Sequence, residues 1–182
     1  LIIRISAIGD VAMTIPVIYS VAKDNPSDSF TVLTQRCLVS LFINRPANVR
    51  IVGLDTKGTE KSLFGILRFA YSLTGKQYDI VLDLHNVIRS RINSLILIKS
   101  SALVCFMNKE IKELQKRTRK PPKMIYALPA MTIRYGNVFR QAGFQFEETF
   151  VSLYEEYPVD SEIIHSIAGE KKGKWIGIAP FA

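Results

Sequence analysis

The sequence predicts an α/β fold: a Rossmann-like parallel sheet with helices on both faces. Two observations carry this. Short apolar runs alternate along the chain with segments whose apolar residues recur at helical spacing. The runs are continuous rather than alternating, as in strands buried on both faces of a parallel sheet. The 182 residues suit one domain, or one domain and the edge of another, and 48% hydrophobic residues are enough for a core and too many for a disordered chain.

The elements follow in order. Leu1 to Ile5 is a short apolar run that stops at Ser6-Ala7-Ile8-Gly9-Asp10, and it reads as the first strand. Val11, Ile15, Ile18 and Ala22 then recur at helical spacing up to the stop at Asp24-Asn25-Pro26. Pro16 implies either a helix that starts near Thr14 or a kink there. Ser29 to Leu33 reads as a strand, Arg36 to Ile43 as a short helix, and Val49 to Leu54 as a third strand. Leu63, Phe64, Leu67, Ala70 and Tyr71 fall on one helical face, which Gly75 closes. Tyr78 to Leu84 is the strongest strand, Arg89 to Lys99 is helical, and Ala102 to Met107 is strand-like.

The basic stretch Lys109 to Lys123 then breaks the rhythm and ends at Pro121-Pro122. Leu128, Met131, Tyr135, Val138, Phe139 and Ala142 give a long helical face ended by Gly143. Ser152 to Tyr157 reads as a strand, and Val159, Ile163, Ile164 and Ile167 mark another helix. Gly169 to Lys174 is a Gly/Lys-rich connector, and Trp175 to Ala179 begins a fresh strand with no helix after it. The expected division is therefore a Rossmann-like domain over 1–170, followed over 171–182 by a linker and the first strand of a second domain.

The formal net charge of +8 implies an anionic partner: a phosphorylated substrate, an anionic membrane face or nucleic acid. No nucleic-acid motif accompanies the basic residues, which cluster in one segment without interleaved aromatics, so no specific nucleic acid is expected. No apolar run approaches the roughly 20 residues of a spanning helix. The two cysteines, Cys37 and Cys105, sit in apolar surroundings and read as buried free thiols of a reducing compartment. Neither GxGxxG nor a phosphate loop with Lys-Ser/Thr is present, and there is no GxSxG nucleophile. No metal and no cofactor is expected.

Three places can carry chemistry. Ser6 to Val11 lies between the first strand and the first helix, at the edge where open α/β sheets bind ligands. Ser6 and Gly9 are candidate binding residues there, Gly9 because its backbone can turn tightly or approach a ligand. Asp10 is either a helix cap or a general base. The second place is Asp83-Leu84-His85-Asn86, followed by Arg89-Ser90, on the same edge. His85, Asn86 and Arg89 are candidate ligand contacts; Asp83 and Ser90 alternatively serve the turn and the helix cap, with Arg89 solvated. The third is the basic segment, in which Lys116, Arg117, Arg119 and Lys120 either form a solvated face or clamp a phosphorylated acceptor or anionic lipid.

In this order, the motifs resemble glycosyltransferase family 9, the lipopolysaccharide heptosyltransferases. Members commonly open with a strand, then Ser-x-x-Gly-Asp-Val and Thr-x-Pro. Here these are Ser6-Ala7-Ile8-Gly9-Asp10-Val11 and Thr14-Ile15-Pro16. The family's Tyr-Asp, apolar residues, Asp-Leu and Arg-Ser match Tyr78 to Leu84 and Arg89-Ser90, while His85-Asn86 stands where Gln-Gly is common. Ile176-Gly177-Ile178-Ala179-Pro180 looks like the first strand of the family's second domain, with Phe181 where Gly is usual.

The resemblance implies the amino-terminal, acceptor-binding half of a two-lobed (GT-B) enzyme, inactive without its second lobe. It implies metal-free inverting transfer with Asp10 as catalytic base. The donor is expected to be a nucleotide sugar such as ADP-heptose, held mostly by the second lobe. The expected acceptor is the phosphorylated lipopolysaccharide inner core, met in the cytoplasm at the inner membrane. Two alternatives stay open. One is transfer of another sugar to another surface polysaccharide; the other is a non-catalytic basic module that binds nucleic acid or other anions.

Overall fold

The computed structural model describes residues 1–58, 62–74, 78–98, 103–108 and 129–155, with residues 162, 165, 166, 169, 172–174 and 176. The chain divides into two compact units, Leu1–Phe150 and Val151–Ala182. The first contains strands β1 (Ile2–Ile3), β2 (Phe30–Gln35), β3 (Val49–Leu54), β4 (Ile80–Asp83) and β5 (Leu103–Phe106). Its helices are α1 (Ile8–Ala12), α2 (Ile15–Asp24), α3 (Leu63–Thr74), α4 (Ile88–Ile98) and α5 (Met131–Gln141).

Among the described residues all strand pairs are parallel, in the order β3-β2-β1-β4-β5. The chain runs outward from β1 to β3, then returns to place β4 on the other side of β1. That reversal opens a crevice beyond the carboxyl ends of β1 and β4. The side-chain period of a strand sorts the two faces. Leu1, Ile3 and Ile5 join Leu33, Leu54 and Val81 in a buried cluster covered by Phe69 of α3. Ile2 and Arg4 face the other way, where Tyr135 of α5 lies against Arg4. Helix α3 packs on α4, and α2 packs on α5.

The expected strands and helices of this unit are present, with shifted ends. At Pro16 the chain breaks rather than kinks: α1 ends at Ala12 and α2 starts at Ile15, with Pro16 in its first turn, where its missing N–H costs nothing. The helix expected over Arg36 to Ile43 is a 3-10 helix, Arg36–Leu41. It lies close against β3, so that a Cβ at Gly53 would stand 3.0 Å from the Arg36 Cα.

Three expectations are corrected. Cys37 is exposed, because the 3-10 helix turns Leu38 inward and its neighbour outward, and Cys105 in β5 is only half-buried. On α3, Phe64 and Tyr71 are 76% and 71% exposed. They share one side of the helix seven residues apart, whereas Phe69, well around the helix from both, packs against the core cluster of the sheet. Over its described residues the stretch read as a strand from Ser152 is a turn, in which the Ser152 hydroxyl accepts the Tyr154 N–H at 3.1 Å. The helix expected from Val159 to Ile167 and the strand from Trp175 to Ala179 lie almost wholly outside the described residues.

Residues 144–150 pack on α2, β2 and α5. Phe144 packs on Phe30, Phe146 on Phe139 and Phe150 on Tyr19, with centroids 5.6, 6.2 and 6.1 Å apart. The Tyr19 hydroxyl donates to the Ile43 carbonyl at 2.9 Å, and burial pushes its pKa up to about 12, against a smaller opposing pull from Arg45. The folded state therefore holds this proton where the unfolded chain has lost it. Stability from Tyr19 is full below about pH 10 and falls as pH rises from about 10 to about 12. Denaturation midpoints measured at pH 9 and pH 11 are expected to differ less in Tyr19→Phe than in the parent. An equal fall in both would assign the loss to other groups.

Candidate functional site

The centre of the site is an arginine where an apolar side chain is the rule. Arg4 follows β1 and is 6% exposed. A buried guanidinium is costly unless paired and hydrogen-bonded. Its Nη1 donates to the Leu84 carbonyl at 2.8 Å, and its Nη2 pairs with Asp10 Oδ2. The guanidinium carbon lies 5.7 Å from the centre of the Tyr135 ring. Three elements, β1, β4 and α5, thus converge on one carboxylate from α1.

Asp10 is not the cap of α1. The cap position is Ala7, and no side chain caps the helix. The Asp10 carboxylate instead leans back to Arg4, with its side chain 36% exposed at the crevice. Ser6 is half-buried just before α1, and Gly9 is exposed in its first turn. A Cβ at Gly9 would meet nothing within 4 Å among the described residues, so crowding by these does not require glycine there. Open space leaves the backbone accessible to a ligand. Ile8 and Ile88, at the starts of α1 and α4, are 60% and 79% exposed on the same edge.

The loop after β4 is held from below by Asp83, which is fully buried. Its Oδ1 accepts the backbone N–H of His85 at 3.0 Å and of Asn86 at 2.7 Å. This turn carries Asn86 into the left-handed region, φ 47°, which asparagine tolerates. Both ends of the Asn86 amide are engaged within the fold: Nδ2 donates to the Met107 carbonyl and Oδ1 accepts from Arg91 Nε, each at 2.7 Å. His85 Nδ1 accepts a long bond, 3.4 Å, from the Ile5 N–H and so ties the β4 loop to β1. The Ser90 hydroxyl exchanges hydrogen bonds with the Val87 backbone, 3.0 Å each way, and does capping duty. Arg89 stands in the first turn of α4, but its side chain lies outside the described residues, as do Lys116, Arg117, Arg119 and Lys120.

Arg4, Arg134 and Tyr135 do not stand out as site residues in the sequence. Arg134 Nη2 reaches the Asn108 carbonyl beyond β5 at 3.0 Å. The Tyr135 hydroxyl is fully buried, and burial raises its pKa, with Arg4 and Arg134 pulling down and Asp10 pushing up. The available signal was a charged residue inside the apolar run Leu1 to Ile5. Chemically, the arrangement offers one solvent-reachable carboxylate at the switch point, fixed from beneath.

No protein-family model matches the chain, and no curated protein matches its sequence. Solved structures do share its fold. One is the glycosyl transferase family 9 protein from Veillonella parvula DSM 2008, with TM-score 0.62 and 21% identity over 93% of this chain and 49% of that one. Another is the E. coli heptosyltransferase WaaC with ADP-2-deoxy-2-fluoro heptose, with TM-score 0.58 and 18% identity over 84% of this chain and 50% of that one. The same heptosyltransferase with ADP gives TM-score 0.55 and 18% identity over 84% and 49%. The chain spans about half the length of the structures it matches. The fold is therefore of the glycosyltransferase family 9 kind, as the motifs implied.

Proposed function

We propose that this chain is the acceptor-binding lobe of an inverting glycosyltransferase, with Asp10 as its base. The observation that carries the reading is the Asp10 carboxylate, part-exposed at the switch point and paired from below with a buried arginine. The shared fold adds support, since two of the matching structures are of a heptosyltransferase with ADP or a fluorinated ADP-heptose.

In this reading the acceptor hydroxyl lies within hydrogen-bond reach of Asp10. Its oxygen attacks the anomeric carbon while its proton passes to the carboxylate. The bond from that carbon to the donor diphosphate breaks, and the nucleoside diphosphate leaves. A single displacement inverts the centre. Ser6, Gly9 and His85 line the acceptor side, Arg89 in the first turn of α4 is suited to it by charge, and Asn86 acts through the loop it holds. The donor is a nucleotide sugar, ADP-heptose in the first instance, bound mainly by a second lobe that begins near residue 171. The acceptor is the phosphorylated inner core of lipopolysaccharide, for which the basic residues Lys116, Arg117, Arg119 and Lys120 are suited by charge. Transfer takes place in the cytoplasm at the anionic inner membrane.

Acceptor binding can be read on this chain alone. Titration with a heptose-free, phosphorylated core oligosaccharide is expected to shift the amide resonances of Ser6 to Asp10 and of His85 and Asn86. Shifts confined to other surfaces, or produced equally by generic duplex DNA, would count against an acceptor site and favour a non-specific anion-binding module.

A further inference from the structure

We propose that Arg4 is a positioning residue, which sets where the Asp10 carboxylate stands at the crevice. The proposal rests on the reading of Asp10 as the base. Helix α1 has only five residues, no side-chain cap and one buried anchor, Val11. Such a helix fixes the Asp10 backbone but leaves its two side-chain torsions to be chosen by a partner. A base acts within about 2.6–3.2 Å of the proton it takes. A misplacement of about 1 Å can cost around a hundredfold in rate.

Arg4 is equipped to make that choice. Its backbone N–H donates to the Leu33 carbonyl of β2 at 3.0 Å, and its Nη1 donates to the Leu84 carbonyl just past β4 at 2.8 Å. The Tyr135 ring of α5 closes over the guanidinium. The backbone of Arg4 is thus fixed to β2 and its cation to β4 and α5, with Nη2 left for Asp10 Oδ2. Oδ1 makes no hydrogen bond among the described residues and stays available to an acceptor hydroxyl.

The local energetics do not favour a purely structural role. Arg4 Nε and the Tyr135 hydroxyl are both buried with no hydrogen-bond partner among the described residues. Each is a cost that an apolar pair of similar volume would avoid. Local rules are broken in this way chiefly at functional sites.

The test starts on this chain, with three-bond couplings that report the rotamer of the Asp10 side chain. The parent is expected to show one rotamer. Arg4→Met is expected to give averaged couplings, with amide resonances away from the Arg4 contacts unchanged, and Arg4→Lys an intermediate result. Couplings in Arg4→Met identical to the parent's would overturn the proposal. If Arg4→Met does not fold, Arg4→Lys carries the comparison, because it keeps the charge and loses the fork.

A second arm uses the whole protein in a transfer assay. Arg4→Met is expected to lower kcat at least about tenfold with KM little changed, and to add little to the loss in Asp10→Asn. Equal losses in both backgrounds would overturn action through Asp10. A parent that transfers no sugar would sink the glycosyltransferase reading, while the couplings would still decide the placement of Asp10.

Discussion

Asp10→Asn in the whole protein is expected to lower kcat for sugar transfer about a hundred- to ten-thousandfold, the usual contribution of a positioned general base. Asparagine has nearly the shape of aspartate. Its side-chain oxygen can still accept from Arg4 Nη2, so the geometry around Arg4, Leu84 and Tyr135 is retained. What is lost is the capacity to take a proton. The loss is therefore expected in kcat, with KM little changed, because the interaction is made only as the acceptor oxygen attacks. A denaturation midpoint measured beside the kinetics separates chemistry from folding. Arg4 is left buried without its countercharge, which costs stability, so the rates are compared only where both proteins are folded. Turnover within a few-fold of the parent would remove Asp10 from the role of base.

Asp83→Ala is expected to be the most damaging of the site substitutions for the fold, at about 2–4 kcal/mol. One buried carboxylate oxygen satisfies two backbone N–H groups, of His85 and Asn86. Alanine leaves both donors behind, and an unmade buried hydrogen bond costs about 1–3 kcal/mol. The same turn holds Asn86 at positive φ, and through it the bonds to Met107 and Arg91 that join β4 to β5 and α4. Asp83→Asn keeps an acceptor oxygen and is expected to cost clearly less. Urea midpoints at unchanged m-value are the measurement. A cost below about 1 kcal/mol for alanine would show that the turn holds without this side chain.

The sheet was legible in the sequence because each strand is a short apolar run punctuated by turn residues, and parallel strands buried on both faces must look like that. The edge that carries the site was legible for the same reason, since Asp10 and His85 follow two such runs directly. The turn duty of Asp83 and the capping duty of Ser90 were among the readings the sequence left open. What holds Asp10 was not legible. Arg4 looked like one residue of a strand, and nothing local says that its guanidinium is covered by Tyr135, far along the chain on α5. Tyr135 itself was placed on the buried face of its helix, but periodicity reports burial and not the neighbour. Cys37 and the pair Phe64 and Tyr71 failed for a related reason. Apolar composition says that a segment packs, and only the tertiary arrangement decides which side of it does.

The most direct measurement is acceptor-dependent release of ADP from ADP-heptose by the whole protein, with a heptose-free lipopolysaccharide core as acceptor. The expected result is ADP release that requires the core and yields one new glycosidic bond of inverted configuration. A folded protein that releases no nucleoside diphosphate in the presence of the core, with ADP-heptose or with any of a panel of other nucleotide sugars and surface polysaccharides, would contradict it.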